Sequence, residues 1–203
     1  MPTATARKPS KRSPGRPRDK SRETAILAET LAILGEGGFA GLTVDAVVAR
    51  AKASKATIYR RWATKEELAI AAFDLLPLIE VANTGSLEED LVAYIGQYGE
   101  YLATTPLPSV LPALVAEAMH NDMLAEKLRQ TVASRRGPGV DLIRRAIARG
   151  ELPSGTDPEL AHELIISPML HRSFFDPSNF QLGDFRQMAR VVIAGLRAIS
   201  SEA

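Results

Sequence analysis

Two short helical patterns joined by a very tight connection, in residues 43–68, constrain the fold of this chain more than any other feature. Thr43 is a typical N-cap residue, and apolar residues follow it at helical spacing up to residue 51. Ser54 is a second N-cap residue, so only two residues separate the predicted helices. Two short helices joined by so short a turn predict a helix-turn-helix motif, which is a DNA-binding arrangement.

A helix over residues 54–62 has two faces of different character. With about 100° of rotation per residue, Ile58 and Trp62 lie on one side and form an apolar anchor. The opposite side carries small, polar and basic side chains: Ala56, Thr57 and Arg60, with Tyr59 and Arg61 at its edges. We therefore expect the apolar side to pack on the domain and the polar side to meet DNA.

Helical patterns also cover most of the remaining chain. They predict helices over residues 21–36, 64–80, 86–105, 109–120, 123–136, 140–149, 157–175 and 185–200. The pair Gly37-Gly38 and the run Gly137-Pro138-Gly139 are predicted helix stops, and Pro77 and Pro168 are predicted kinks. No strand pattern or internal repeat is present, so the sequence predicts an all-α protein.

The order and spacing of the residues in 43–68 resemble the DNA-binding domain of the TetR family of bacterial transcriptional repressors. The resemblance is carried by Thr43, Ala51, Ser54, Thr57, Tyr59, Trp62, Lys65, Glu67 and Leu68. The first predicted helix and Phe39 also fit, so the resemblance covers residues 21–70. The sequence departs from the family pattern at Lys52 and Ala56, where Gly is common. Lys52 is expected to add a phosphate contact.

The resemblance implies an N-terminal three-helix helix-turn-helix DNA-binding domain and a C-terminal helical ligand-binding and dimerisation domain. The corresponding boundaries are a disordered basic arm over 1–20, a DNA-binding domain over 21–68 and an effector-binding and dimerisation domain over 69–203. It further implies a homodimer in which the last two long helices form a four-helix bundle with those of the partner. We expect such a dimer to bind a palindromic double-stranded operator and to leave it when a small molecule binds.

Side-chain chemistry suggests a role for each residue expected to face DNA. Arg60 is suited to guanine, Thr57 to a base or phosphate, and Ala56 to close approach or a thymine methyl group. The residues expected on phosphates are Thr43, Lys55, Tyr59, Arg61 and Lys65. The resemblance supports Thr43, Thr57, Tyr59 and Lys65 in these roles. The alternative is that the charges form a solvated face.

The N-terminus is strongly basic, with eight Lys or Arg and a single acidic residue, Asp19, in residues 1–22. Residues 14–18, Pro-Gly-Arg-Pro-Arg, resemble the core of an AT-hook, whose arginines enter the narrow minor groove of A·T tracts. We therefore predict that Arg16 and Arg18 contact the minor groove or the phosphates. A solubilising tail is the alternative interpretation.

The C-terminal helices carry candidates for an effector pocket and a dimer interface. The pocket candidates are aromatic or Met-rich with one cation: Tyr94, Tyr98, Tyr101, Leu114, Met119, Met123, Arg172 and Phe175. Such a lining suits a small hydrophobic or aromatic effector. On the last helix, Met188, Val192, Gly195 and Ile199 form a stripe predicted to face the partner subunit, and packing within the monomer is the alternative.

The sequence offers little support for catalysis or membrane insertion. It has no Gly-rich phosphate loop, no Gly-x-Ser-x-Gly motif, three histidines and zero cysteines, so we expect no enzyme activity, metal or cofactor. No long apolar run or signal peptide is evident, which predicts a cytoplasmic protein with no membrane partner. The predicted function is a ligand-responsive DNA-binding repressor. The alternative is a helical protein–protein interaction module that keeps the motif without binding an operator.

Overall fold

The computed structural model describes residues 18–175 and 185–198, and all regular secondary structure in these ranges is helical, which confirms the all-α prediction. The helices are α1 (Arg18–Gly41), α2 (Val44–Ala51), α3 (Lys55–Tyr59), α4 (Lys65–Asp74), α5 (Leu87–Thr104), α6 (Leu107–Ala118), α7 (Asp122–Ala148), α8 (Pro158–Phe175) and α9 (Phe185–Ala198). The N-terminal helices α1–α4 pack together, and α1 and α4 also contact α6 and α7 respectively.

Helix α1 is longer than predicted at both ends. It begins at Arg18, so residues 18–20 belong to a helix and the predicted arm is shorter than 1–20. The helical geometry is interrupted at Gly38 (φ 62°, ψ −165°), which is the predicted stop, but another turn follows and buries Phe39. Arg18 therefore begins a helix rather than an extended AT-hook segment, whereas Arg16 lies outside the described residues.

Helix α4 ends at Asp74, so the prediction of a kinked helix reaching residue 80 is wrong. Pro77 explains the difference, because a proline disfavours helical geometry in the preceding residue and has no N–H to continue the hydrogen-bond ladder. Residues 77–84 contain no regular secondary structure. This irregular segment carries the chain from α4 to α5.

Helix α7 is continuous from Asp122 to Ala148, so the prediction of two helices separated at residues 137–139 is wrong. Gly139 serves close packing instead of a stop. A Cβ atom there would lie 2.6 Å from the Tyr94 hydroxyl oxygen and 2.5 Å from His162 Cδ2. Because glycine has no Cβ, α7 can approach α5 and α8 closely at this point. The packing between these helices offsets the free-energy cost of placing Gly-Pro-Gly within a helix.

Nearly all buried apolar side chains of the described residues form a single cluster that extends from α1 to α9. Helix α4 lies within this cluster between α1 and α7, and it buries Leu68, Ala72 and Phe73. The predicted boundary at residue 68 therefore falls inside a continuous core. Because α4 packs against both α1 and α7, a displacement of α4 relative to α7 also changes its contacts with the N-terminal helices.

Substitution of the two glycines flanking Pro138 tests this account of α7. Gly139→Ala should lower the free energy of unfolding by about 1–3 kcal/mol, because the new methyl group overlaps Tyr94 and His162. Gly137→Ala is the matched control, since no atom of the described residues lies within 4 Å of its added Cβ. Its effect should be small, because the gain from replacing a helical glycine is opposed by the contact of the new Cβ with the ring of the following Pro138. Urea unfolding of both variants measures this difference, and equal stabilities would contradict the packing role of Gly139.

Candidate DNA-binding surface and the adjoining cavity

Side-chain caps define the helix-turn-helix. The Thr43 hydroxyl oxygen accepts a hydrogen bond from the Ala46 backbone N–H (3.1 Å), and α2 begins there as predicted. Helix α2 ends at Ala51, and the C-cap residue Lys52 has a left-handed conformation (φ 49°, ψ 40°), which explains why Gly is common in this turn. The Ser54 hydroxyl oxygen then accepts from the Thr57 backbone N–H (3.2 Å) and starts α3.

Helix α3 has the two faces predicted from the sequence, although it is shorter than residues 54–62. The backbone N–H of Trp62 still donates to the Ile58 carbonyl oxygen (2.9 Å), so the chain continues to turn beyond the helix end. Ile58 is 1% exposed and Trp62 8% exposed, which confirms the apolar anchor. Ala56 and Arg60 are exposed and Tyr59 is 54% exposed.

Lys55 and Thr57 of α3 make only local contacts with the protein. Lys55 forms an ion pair with Asp45 (2.7 Å), and this hydrogen bond raises the pKa of Lys55. Both partners are more than half exposed, so exchanging the pair for a phosphate contact costs little free energy. The Thr57 hydroxyl group shares a hydrogen bond with that of Ser54 (2.9 Å), and Thr57 is partly buried.

Two of the predicted phosphate contacts hold the domain together in this structure. Arg61 pairs with Glu23 of α1. The ammonium group of Lys65 donates to the Phe39 carbonyl oxygen (3.1 Å) and lies 4.0 Å from the centre of the Phe39 ring. These contacts fix the end of α3 and the start of α4 on α1. The remaining exposed candidates are Thr43, Lys55, Ala56, Tyr59 and Arg60.

The start of α4 is tied to both α3 and α7. The Thr64 hydroxyl oxygen caps α4 by accepting from the Glu67 N–H (3.2 Å), and the Glu67 carboxylate accepts from the Ala63 N–H (2.9 Å). The hydrogen bond from Ala63 lowers the pKa of Glu67. On the other side, Lys127 of α7 pairs with Glu67 (3.5 Å) and Asn121 donates to Glu66 (3.1 Å).

A cavity of about 110 Å³ lies among α4, the irregular segment and α5–α8. Its lining comprises Phe73, Pro77, Leu78, Ile79, Tyr94, Tyr98, Tyr101, Leu107, Leu111, Val132, Arg135, Arg136, His162, Ile166 and Leu170. The three predicted tyrosines line it, with ring centres about 6 Å apart along α5 (6.2 and 6.1 Å). The lining is mostly apolar, with a few polar groups, which is typical of a small-molecule site.

The other predicted pocket residues do not line this cavity. Leu114 is buried in the core, Met119 and Phe175 are each 76% exposed, and Met123 and Arg172 are also at the surface. Contact of these five residues with an effector stays a prediction.

The sequence analysis also missed lining residues on α4, α7 and α8, among them Arg135. The sequence could have indicated Arg135, because this residue continues the helical spacing of the buried residues Leu128, Thr131, Gly139 and Leu142 along one face of α7. The stripe is visible only if α7 is treated as one helix. Splitting the helix at residues 137–139 concealed it.

His162 and Tyr94 form a buried polar pair in the cavity wall. The hydroxyl group of Tyr94 and Nε2 of His162 are 2.8 Å apart, and His162 is 1% exposed. Burial lowers the pKa of His162 to about 4, so its imidazole is neutral at pH 7. Its Nδ1 atom is buried and has no hydrogen-bond partner among the described residues. Burial also raises the pKa of Tyr94 and of Tyr98, which keeps both hydroxyl groups protonated.

Arg135 connects the cavity to the end of α4. Its Nη2 atom donates to the carbonyl oxygens of Leu76 (2.9 Å) and Pro77 (2.7 Å) and to the hydroxyl group of Tyr101 (3.0 Å). The guanidinium carbon also lies 5.4 Å from the centre of the Phe73 ring. A single side chain of α7 therefore contacts the cavity wall and the residues that follow α4.

The described residues contain no group of three or more His, Cys, Asp or Glu side chains placed to hold a metal ion. Within the same ranges, no helix has the length and apolar character needed to span a bilayer. The fold and the capped, exposed α3 define the protein as a helix-turn-helix DNA-binding regulator.

Comparison with known proteins identifies the family. The family model "Bacterial regulatory proteins, tetR family" matches residues 26–72, and "Tetracyclin repressor-like, C-terminal domain" matches residues 81–192. The chain belongs to the TetR family of bacterial transcriptional regulators. This is a family of regulators, not of enzymes.

Individual relatives agree with this assignment. The chain is 35% identical over 162 residues to the DNA-binding transcriptional repressor TetR of Mycobacteroides abscessus, covering 76% of this chain and 83% of that protein. It is 32% identical over 193 residues to the HTH-type transcriptional regulator YdeS of Bacillus subtilis, covering 92% and 96%. Among solved structures, Salmonella enterica GusR shares the fold with a TM-score of 0.67 at 19% identity, covering 88% of this chain and 96% of that chain.

The buried imidazole predicts a specific pH dependence of stability. Between pH 7 and pH 5 the unfolded chain gains a proton at residue 162 that the folded chain does not take up until about pH 4. Because the unfolded state then binds more protons, stability falls as the pH falls. Replacing the imidazole by a side chain that does not titrate, His162→Asn, should reduce this loss by about 1–2 kcal/mol.

Urea unfolding at pH 7 and pH 5 measures the effect. His120→Asn is the control, because His120 is exposed just after α6 and its replacement should leave the loss unchanged. The neutral, buried state of His162 would be contradicted if wild type and His162→Asn lost equal stability between the two pH values.

Proposed function

We propose that the chain is a homodimeric repressor that binds a palindromic operator through α3 and is released by a small apolar effector in the tyrosine cavity. The observation that carries this proposal is the arrangement of α3. Ile58 and Trp62 are buried against the domain, while Ala56, Tyr59 and Arg60 are exposed on the other side. A major groove admits a helix presented in this way.

The exposed residues divide by chemistry into base and phosphate contacts. Arg60 reads guanine, Ala56 allows close approach or meets a thymine methyl group, and Thr57 bonds a base or phosphate. Tyr59, Lys55 and the start of α2 at Thr43 contact phosphates, because phosphate groups favour cations, hydroxyl groups and helix N-termini. These phosphate contacts fix the position of α3 on DNA, whereas the base contact of Arg60 provides sequence preference.

The proposed dimer interface is an exposed apolar stripe on α8 together with the outer face of α9. Leu160, Leu164 and Phe175 are exposed and recur at helical spacing along α8, and Val191 is exposed on α9. Exposed apolar stripes of this kind commonly mark association surfaces.

The predicted stripe on α9 contributes only in part. Gly195 is exposed, but Met188 and Val192 are partly buried and pack against the core of their own subunit. Ile199 lies outside the described residues. The alternative of packing within the monomer therefore applies to Met188 and Val192, and the proposed interface centres on α8 and Val191.

The dimer leaves DNA if the effector binds more tightly to a conformation in which the spacing of the two α3 helices no longer matches two successive major grooves. Successive major grooves on one face of DNA are about 34–36 Å apart, so a change in this spacing lowers operator affinity. Helix α4 supports such a link because Thr64 caps it beside α3 and Phe73 reaches the cavity. Regulators of this family bind DNA operators and typically dimerise and respond to small-molecule effectors.

The alternative function is a helical protein–protein interaction module. In vitro selection from random DNA, followed by binding titrations at several salt concentrations, separates the two. A repressor selects a site with two half-sites and binds it in a salt-dependent manner, whereas an interaction module selects no common sequence.

Arg60→Ala should weaken binding to the selected operator by roughly 5- to 150-fold per half-site and relax the preference at one base pair in each. Arg129→Ala removes the same charge from an exposed ion pair on α7 and serves as the control. Fluorescence anisotropy at fixed salt measures both. If the two variants bind the operator equally well, α3 does not read the groove through Arg60.

Leu164→Glu should convert the dimer to a monomer, because it places a charge in the proposed apolar interface. Val115→Glu also replaces an exposed aliphatic side chain by a charged one, but on α6, outside the proposed interface. This variant should remain a dimer. Sedimentation equilibrium distinguishes the two states. A dimeric Leu164→Glu protein would place the interface elsewhere.

A further inference from the structure

The charges around the cavity are unbalanced. Its lining contains two arginines and no Asp or Glu. Arg136 is paired with Glu163 (3.1 Å), but the protein hydrogen bonds of Arg135 all go to neutral oxygens. Within residues 18–175 and 185–198, no carboxylate forms an ion pair with Arg135. Asp74 interacts with it electrostatically, but burial, the larger effect, raises the pKa of Asp74.

The guanidinium group of Arg135 retains hydrogen-bonding capacity. All three of its protein hydrogen bonds come from Nη2, and Nη1 makes none with the described residues. Hydrogen bonds from a guanidinium to a carboxylate are stronger than those to neutral oxygens, and partial burial strengthens them further. The chemistry that best complements this wall of the cavity is an anion attached to an apolar body.

We propose that the effector is a small aromatic or other apolar acid whose carboxylate pairs with Arg135 in the tyrosine cavity. This inference rests on the proposed function, in which this cavity is the effector site. It adds the chemical class of the effector and the residue that transmits its binding. The apolar body lies among Tyr94, Tyr98 and neighbouring aliphatic side chains, where burial of its surface contributes to binding.

The contact between the carboxylate and Arg135 also explains how effector binding can change the position of α4. Arg135 holds the carbonyl oxygens of Leu76 and Pro77, immediately after α4, so a carboxylate on its guanidinium competes with or reorients these bonds. Arg135 also lies over the Phe73 ring within α4. Effector and α4 are therefore joined through one side chain, and Arg135 is a positioning residue for the DNA-binding helices.

The size of the cavity sets the scale of a suitable probe. At about 110 Å³ it is smaller than the roughly 150 Å³ engineered cavity that binds benzene, so a ring with one substituent requires some movement of the wall. Leu78 and Ile79 supply part of that wall from the irregular segment between α4 and α5. Benzoate and benzamide are matched probes, because they have nearly the same shape and differ in charge.

Isothermal titration calorimetry of the full chain with benzoate and benzamide tests the proposal. Wild type should bind benzoate at least tenfold more tightly than benzamide. Arg135→Gln should abolish this preference, and Arg135→Lys, which keeps the charge, should retain part of it. Arg129→Gln is the control, because this exposed arginine of α7 lies outside the cavity lining and pairs with Glu126, and it should keep the full preference.

Three results would overturn the proposal: no binding of benzoate to wild type, equal affinity of wild type for the two probes, or a preference that survives Arg135→Gln. Thermal unfolding of Arg135→Gln checks that it folds. If it does not fold, the Arg135→Lys and Arg129→Gln pair decides, because the proposal requires the preference to fall only at residue 135.

Operator binding measured with the same probes separates this inference from the proposed function. If benzamide and benzoate release the operator equally, the acid-specific role of Arg135 is wrong while ligand-controlled repression stands. If benzoate binds with the expected dependence on Arg135 but leaves operator affinity unchanged, the acid site stands and the proposed release mechanism is wrong.

Discussion

The packing of α4 between α1 and α7 is the constraint on which the rest of the structure depends. Leu68, Ala72 and Phe73 are buried on this helix, so its position is set by close contact with both neighbours. Its first turn is capped by Thr64 and joined to α7 through the pair of Glu67 and Lys127. Its other end is held by Arg135. Both ends of a ten-residue helix are thus attached to α7, which also lines the cavity.

This arrangement separates the residues that support α3 from those that face outward. Arg61 and Lys65 are engaged with α1, whereas Arg60 and Tyr59 remain exposed. A rigid support is needed because base contacts depend on precise placement of few side chains. The coupling expected between an effector and an operator is typically only 1–3 kcal/mol, about the contribution of one or two charge-assisted hydrogen bonds. A single arginine shared between a ligand and α4 is sufficient on this scale.

The sequence predicted the helix-turn-helix closely because its determinants are local. Caps at Thr43, Ser54 and Thr64 and the buried pair of Ile58 and Trp62 act within a few residues of one another. The errors arose where distant residues decide the outcome. The run at 137–139 has the local character of a helix stop, yet contacts with α5 and α8 require its last glycine inside a helix. The cavity was predicted only along α5, since its remaining walls come from separate helices.

We infer that the contact of Arg135 with the end of α4 sets the positions of the two α3 helices in the proposed dimer. The chain has no cysteine, so Ala63→Cys gives one exposed attachment point per subunit, beside α4. Double electron–electron resonance between the two spin labels reports their separation directly. The account predicts that Arg135→Gln shifts or broadens the distance distribution while Arg129→Gln leaves it unchanged. Identical distributions for wild type and Arg135→Gln would contradict it.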